Sequence, residues 1–383
     1  MPARMPAELR TRRWSGGRVA RRVGAMVVGA GVVVTLTACG GAADPGEVRP
    51  IAVETSFGEV GLGAGQFSYP RCLDVALIDG VPNLFICDKT ARIQRLDART
   101  GEVLGVVRTP EWQLGKPTGI TMGPHPTDPG RLMIWVADTH YHRVLGYDVP
   151  TDANAEVLRE AAPTEPVFEF GAYGDQPGQF IYPTDVALLT DDAGRVTRVY
   201  VSEYGGNDRI TAFTPVAGED GSVAFEPTFV IGAFGAPGDE QGDGPVLFNR
   251  PQTMAIDREH GELIVTDACN HRVRRLTLEG KPVASFGTPG EGAGEFNYPY
   301  GMALLGDGSA LVCEFGGSRL QRIDLATGAT LGLLGGPGYD EGTLANPWAV
   351  AVIGSDAYVL DSGRNRVVAF HSPAPGVEVA RGE

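Results

Sequence analysis

The sequence predicts an all-β fold: a six-bladed β-propeller of four-stranded blades, its ring closed by an N-terminal outer strand in the last blade. Three observations lead there. One short pattern recurs six times: an apolar residue and Gly, a Gly-rich stretch, Pro, an apolar strand, a second apolar strand ending in Asp or Glu, then Arg opening a third. The period is about 40–50 residues with about four short strands per unit, the signature of propeller blades. The phase is offset as well. The last copy stops after its third strand at Phe370, whereas residues 51–57 precede the first copy as an unpaired fourth strand. Joining the two would remove a pair of open sheet edges, which otherwise invite aggregation.

The repeat markers fall in order along the chain. The leading glycines are Gly58, Gly105, Gly171, Gly235, Gly287 and Gly335, and the prolines are Pro70, Pro117, Pro183, Pro251, Pro299 and Pro347. Pro opens strand a, where it removes no ladder donor. Strand b ends in Asp88, Asp138, Glu203, Asp267, Glu314 or Asp361, and strand c opens with Arg92, Arg143, Arg209, Arg272, Arg319 or Arg366. Insertions sit between strands c and d, at about 148–166 and 214–227, and in two a–b turns, 123–131 and 190–197. The a–b and c–d turns lie on one face of a propeller ring, and the b–c and d–a turns on the other, here called upper.

The amino terminus reads as an export signal. Residues 1–38 carry seven arginines and one acid, and an apolar run over 23–38 is short for a bilayer-spanning helix. It ends in Leu36-Thr37-Ala38-Cys39-Gly40, which resembles the bacterial lipobox. That resemblance implies a signal peptide over 1–38 and a lipidated Cys39, followed by a flexible tether to residue 50. The propeller then occupies 51–371 and a short tail 372–383. The expected location is the bacterial cell envelope, with the membrane reached only through the lipid anchor. Arg-Arg pairs at 12–13 and 21–22 leave the export route open.

Without residues 1–38 the net charge moves from −15 to −21. A body this acidic repels phosphate backbones and excludes nucleic acid as a partner. No nucleophile elbow, phosphate-binding Walker loop or zinc-type cysteine pair is present.

Residues 52–370 resemble the NHL repeat family. The fifth copy carries Phe286-Gly287, Gly290, Gly292, Gly294, Glu295-Phe296 and Tyr298-Pro299-Tyr300-Gly301. Asn270 and Asn365, beside the strand-c arginines of the fourth and sixth copies, complete the likeness. The second copy is weakest, because its d–a loop lacks the Gly-x-Gly-x-Gly string. One enzyme group with a similar propeller, the peptidyl-hydroxyglycine amidating lyases, holds zinc with channel histidines. None of the six strand-a openings here has a histidine, so that activity does not carry over.

The acid–arginine pairs repeat in every blade, as a turn-closing device does and a single active site does not. Glu203 and Glu314 are longer acids at that turn and are candidates to reach the channel. Positions that vary while the frame stays fixed are the remaining ligand candidates: Arg71, Gln252, Tyr300 and Trp348 after Pro, and Tyr182 before it. His140, His142 and His271 lie in upper b–c loops and are weak zinc candidates. Asp239, Glu240 and Asp243 in the longest d–a loop leave calcium open. Cys72 and Cys87 stand at neighbouring strand ends, as free thiols or as a disulfide. No cofactor is predicted beyond these metals. The expected function is a monomeric binding or scaffold module for a protein, peptide or envelope polymer on the upper face. The alternative is a channel enzyme, a metal-assisted lyase or hydrolase.

Overall fold

The computed structural model describes residues 44–111, 113, 114, 116–151, 163–239, 245–377 and 380–382. Six antiparallel four-stranded sheets follow one another around a ring. Their inner strands a are Cys72–Ile78, Gly119–His125, Tyr182–Thr190, Pro251–Asp257, Pro299–Leu304 and Pro347–Ile353. Strand a of each blade contacts strand a of the next, including blade six to blade one.

Alternation along each strand builds the core. In strand b of blade one, Leu84 and Ile86 pack toward Trp348, Leu360 and Val367 of blade six. Phe85 and Cys87, one residue out of step, pack toward Ile120, Ile134 and Leu145 of blade two. Successive side chains of a strand leave opposite faces of the sheet, so each blade is a wall shared by two cores.

The ring closes as the offset phase predicts. Val53–Phe57 is the outer strand of blade six, antiparallel to strand c (Arg366–His371), with Ser56 opposite Val368 and Phe57 opposite Val367. Val48–Arg49, inside the stretch read as tether, pairs in parallel with the outer strand of blade five. The carboxyl-terminal tail is also bound. It bridges blades five and six through Gly306 N to Pro375 O (2.7 Å) and Gly376 N to Gly354 O (2.9 Å). Arg381–Gly382 then pairs with Leu77 and Ile78 of blade one.

Two markers need correction. Gly58, Gly171 and Gly287 have φ near 100°, and a Cβ there would stand about 2.5 Å from the ring of Phe67, Phe180 or Phe296. In the fourth copy that role belongs to Gly232 against Phe248, not to Gly235. In the second copy Gly105 lies inside strand d (Val103–Arg108), packed on Pro150. The 214–227 insertion is a longer c–d hairpin, Arg209–Ala217 with Val223–Ile231. Cys39 and residues 240–243 lie outside the described residues. Among those described, no helix is long and apolar enough to cross a membrane.

Candidate functional site

All six acid–arginine pairs form. Arg92 Nη2 lies 2.6 Å from Asp88 Oδ2, and the Nε–carboxylate distances in the other blades run from 2.6 Å (Arg319–Glu314) to 3.0 Å (Arg143–Asp138). In five blades the acid also accepts from an amide of the preceding d–a loop: Ser68, Ile181, Asn249, Asn297 or Ala345. In blade two the equivalent position, 115, is outside the described residues, and Asp138 Oδ1 has no partner among those described. Burial raises the Asp138 carboxyl to about 6 despite Arg143. Glu203 and Glu314 do not reach the channel. Both are fully buried, and Arg209 and Arg319 hold them as the aspartates are held elsewhere. The extra methylene is absorbed in the turn.

A second latch joins neighbouring blades. The residue before each strand-c arginine has positive φ: Ala91, His142, Asp208, His271, Ser318 and Asn365. Several of these side chains hold the next blade where it opens. Asn365 Oδ1 accepts from Tyr69 N (2.6 Å), Asp208 Oδ1 from Arg250 N (2.6 Å) and Ser318 Oγ from Asn346 N (3.2 Å). His271 Nδ1 lies 3.0 Å from Phe296 O, and His142 Nδ1 is bonded to Ile181 O. Two of the three zinc candidates are therefore latch residues. The third, His140, stands against Lys116 and Tyr182. Among the described residues no three His, Cys, Asp or Glu side chains are grouped to hold a metal.

The variable positions converge at the upper mouth. The Arg71 guanidinium lies 5.3 Å from the Trp348 ring, and Trp348 meets Tyr300 edge-on at 4.9 Å. Arg250 follows at 5.0 Å from Tyr300 and 4.8 Å from Tyr204, and Tyr204 stands 5.1 Å from Tyr182. Tyr182 reaches His140 at 5.6 Å, and His140 Nδ1 lies 3.3 Å from Lys116 N. Gln252 Oε1 accepts from Arg250 Nε (3.0 Å), and Phe315 stacks on Tyr300 at 4.8 Å. Five of the seven ligand candidates thus share one annulus of rings and cations. Tyr69 and Lys89 extend it, the ammonium 5.9 Å from the ring.

Sequence reasoning missed Arg250, Tyr204, Phe315, Lys89 and Lys116. Three of these, Lys89, Tyr204 and Phe315, directly follow the strand-b acid. That position varies between blades as the residue after Pro does, and the same comparison would have found it.

Beneath the mouth the inner strands enclose a cavity of about 780 Å³, lined from Arg71 and Trp348 down to Asp191, Arg258 and Arg381. Four acids line it: Asp191 and Asp192 in an a–b turn, and Asp74 and Asp185 within the inner strands. Asp74 accepts from Met122 N of the next blade (2.6 Å), and Asp185 accepts from Met254 N (2.8 Å). Desolvation raises Asp74 to about 6 and Asp185 to about 8, although those amides oppose it. Each carboxyl caps an inner-strand amide of the neighbouring blade. Cys72 and Cys87 face each other across strands a and b as free thiols, and the Cys87 thiol is pushed up by its contact with Cys72 and by burial.

Ring, latch and strand order define a six-bladed β-propeller. The NHL repeat family model matches residues 248–276, the end of one d–a loop through strand c of blade four. Solved structures show the same fold at low identity. A luciferin-regenerating enzyme aligns at 12% identity over 86% of this chain and 99% of its own, with a TM-score of 0.52. A Kuenenia stuttgartiensis hydrazine synthase chain aligns at 14% over 82% and 97%, with a TM-score of 0.50. At such identities these likenesses bear on the fold alone.

Proposed function

We propose that this chain is an exported, lipid-anchored binding module that receives a protein, peptide or envelope polymer at the upper mouth of its propeller. The observation that carries the reading is the annulus of Arg71, Trp348, Tyr300, Arg250, Tyr204 and Tyr182, built wholly from positions the repeat leaves free. Aromatic rings with arginine are the side chains that dominate recognition surfaces. The repeating acids and arginines are consumed by the frame, which leaves specificity to this rim. Attachment through Cys39 would hold the module at the membrane while its acidic body stays off anionic lipid.

A photo-crosslinking residue placed at Tyr298, 41% exposed on the upper rim, tests the site in envelope preparations. The expected result is a discrete adduct that a lower-rim crosslinker at Asp192 does not give. Equal adducts from both faces, or none from Tyr298, would overturn the reading. Loss of membrane association in Cys39→Ala tests the anchor separately.

A further inference from the structure

The chemistry of the annulus points to one class of ligand. Its unmet polar groups are donors. Arg71 Nε and Trp348 Nε1 are buried without a hydrogen-bond partner, and neither atom can accept. A buried donor left unpaired is costly, so such groups mark places where something else supplies the acceptor.

Charge is distributed to match. The whole chain has three lysines, Lys89, Lys116 and Lys281, and two of them stand at this mouth: Lys89 at the Tyr69 ring that Arg71 also approaches, and Lys116 against His140. The carboxylates that could neutralise them are committed. The six strand-b acids are held by the strand-c arginines. Asp208, close to Arg250, gives both oxygens to backbone amides. Lys116 is shifted down by burial, then by Lys89 and Arg71, and His140 by burial and then by Arg71, Lys116 and His142. Like charges here face one another in a protein of net charge −15.

We infer that the upper mouth is a carboxylate site, in which Arg71, Lys89 and Lys116 receive the anionic groups of the ligand while Tyr69 and Trp348 cover its carbon frame. The inference rests on the upper mouth being the binding site, and it deepens that reading by naming the chemistry. Carboxylates can come from a free polycarboxylate or from an acidic peptide stretch, and the same contacts serve both. The acidic body repels such ligands everywhere else, so capture by the intact chain requires this patch.

The test is calorimetric titration of the full chain in detergent with three probes: citrate, hexaglutamate and hexaglutamine. Saturable binding of citrate or hexaglutamate, weakening as salt is raised, is the expected result. Preference for citrate assigns a small metabolite, and preference for hexaglutamate assigns a peptide. A Lys89→Gln, Lys116→Gln double variant changes only side chains that reach solvent, and it should weaken binding about tenfold or more with the melting temperature unchanged. Arg71→Gln should do the same. Failure of both anions to bind, or binding that the variants leave intact, would overturn the inference. A Tyr298 adduct that survives high salt and these variants would keep the binding module and reject its carboxylate chemistry. Absence of any adduct would reject both.

Discussion

The Arg71 guanidinium of blade one lies 5.3 Å from the indole of Trp348 in blade six, across the seam where the ring of blades closes. The indole is 6% exposed and packs edge-on against Tyr69 of blade one and Tyr300 of blade five. One side chain therefore belongs to the rim and to the seam together. Trp348→Ala should destabilise the chain by about 3–5 kcal/mol through the cavity it leaves. Trp348→Phe should cost much less, because it also removes the unpartnered Nε1 donor. Urea unfolding midpoints of the two variants check this, and equal losses would count against a packing role.

Closure by Val53–Phe57 makes the amino end of the propeller indispensable. A chain beginning at Gly58 leaves strand c of blade six as an open edge and should melt well below the longer chain and aggregate on heating. Thermal melts followed by light scattering would show it. A melt matching the full propeller would mean that the seam is held by strand-a contacts alone.

The longer acids Glu203 and Glu314 should behave as structural residues. Each is fully buried against an arginine, so Glu314→Gln leaves the Arg319 charge without its partner and should cost about 3–5 kcal/mol. Glu203→Gln should act similarly, and neither should alter affinity at the mouth in the fraction that remains folded. A change in affinity without a change in stability would move these acids back to the channel.

Asp185 makes stability depend on pH. Its native pKa, about 8, is above the ordinary value of 3.8, so the folded state holds the proton more tightly than the unfolded one. Stability should therefore fall as pH rises from about 4 to about 8 and flatten beyond. Asp185→Asn keeps an acceptor for Met254 N and should remove that part of the slope. Asp74 and Asp138, both near 6, keep their share between about 4 and 6. Unfolding titrations of both chains from pH 5 to 9 give the comparison, and parallel curves would rule Asp185 out as the source.

The fold was legible because its devices repeat. Six prolines, acids and arginines at matching phase announce the blades, and the truncated last copy announces how the ring closes. Repetition also separated frame from rim, and the variable positions Arg71, Tyr182, Gln252, Tyr300 and Trp348 lie together in the structure. Length misled at Glu203 and Glu314, since a longer side chain can coil within its turn as easily as extend from it. His142 and His271 misled because their place before the arginine is a backbone position, held at φ of 59° and 54°, and not a ligand position. Asp74 and Asp185 left no signal. Their partners are amides of the next blade, a relation that only the closed ring creates. The tail at 372–383 was equally silent, because strand pairing of so few residues follows from a neighbouring edge and not from their own pattern.

The closing strand also sets a schedule. Val53–Phe57 is translated about 310 residues ahead of its partner Arg366–His371. At about 5–20 residues per second the first segment waits on the order of tens of seconds before its mate exists. Until then no ring can form, however many blades have already taken shape. The last blade is thus a completeness check. A chain cut short before Arg366–His371 keeps two open sheet edges, so an unfinished molecule differs from a finished one by its unsealed seam.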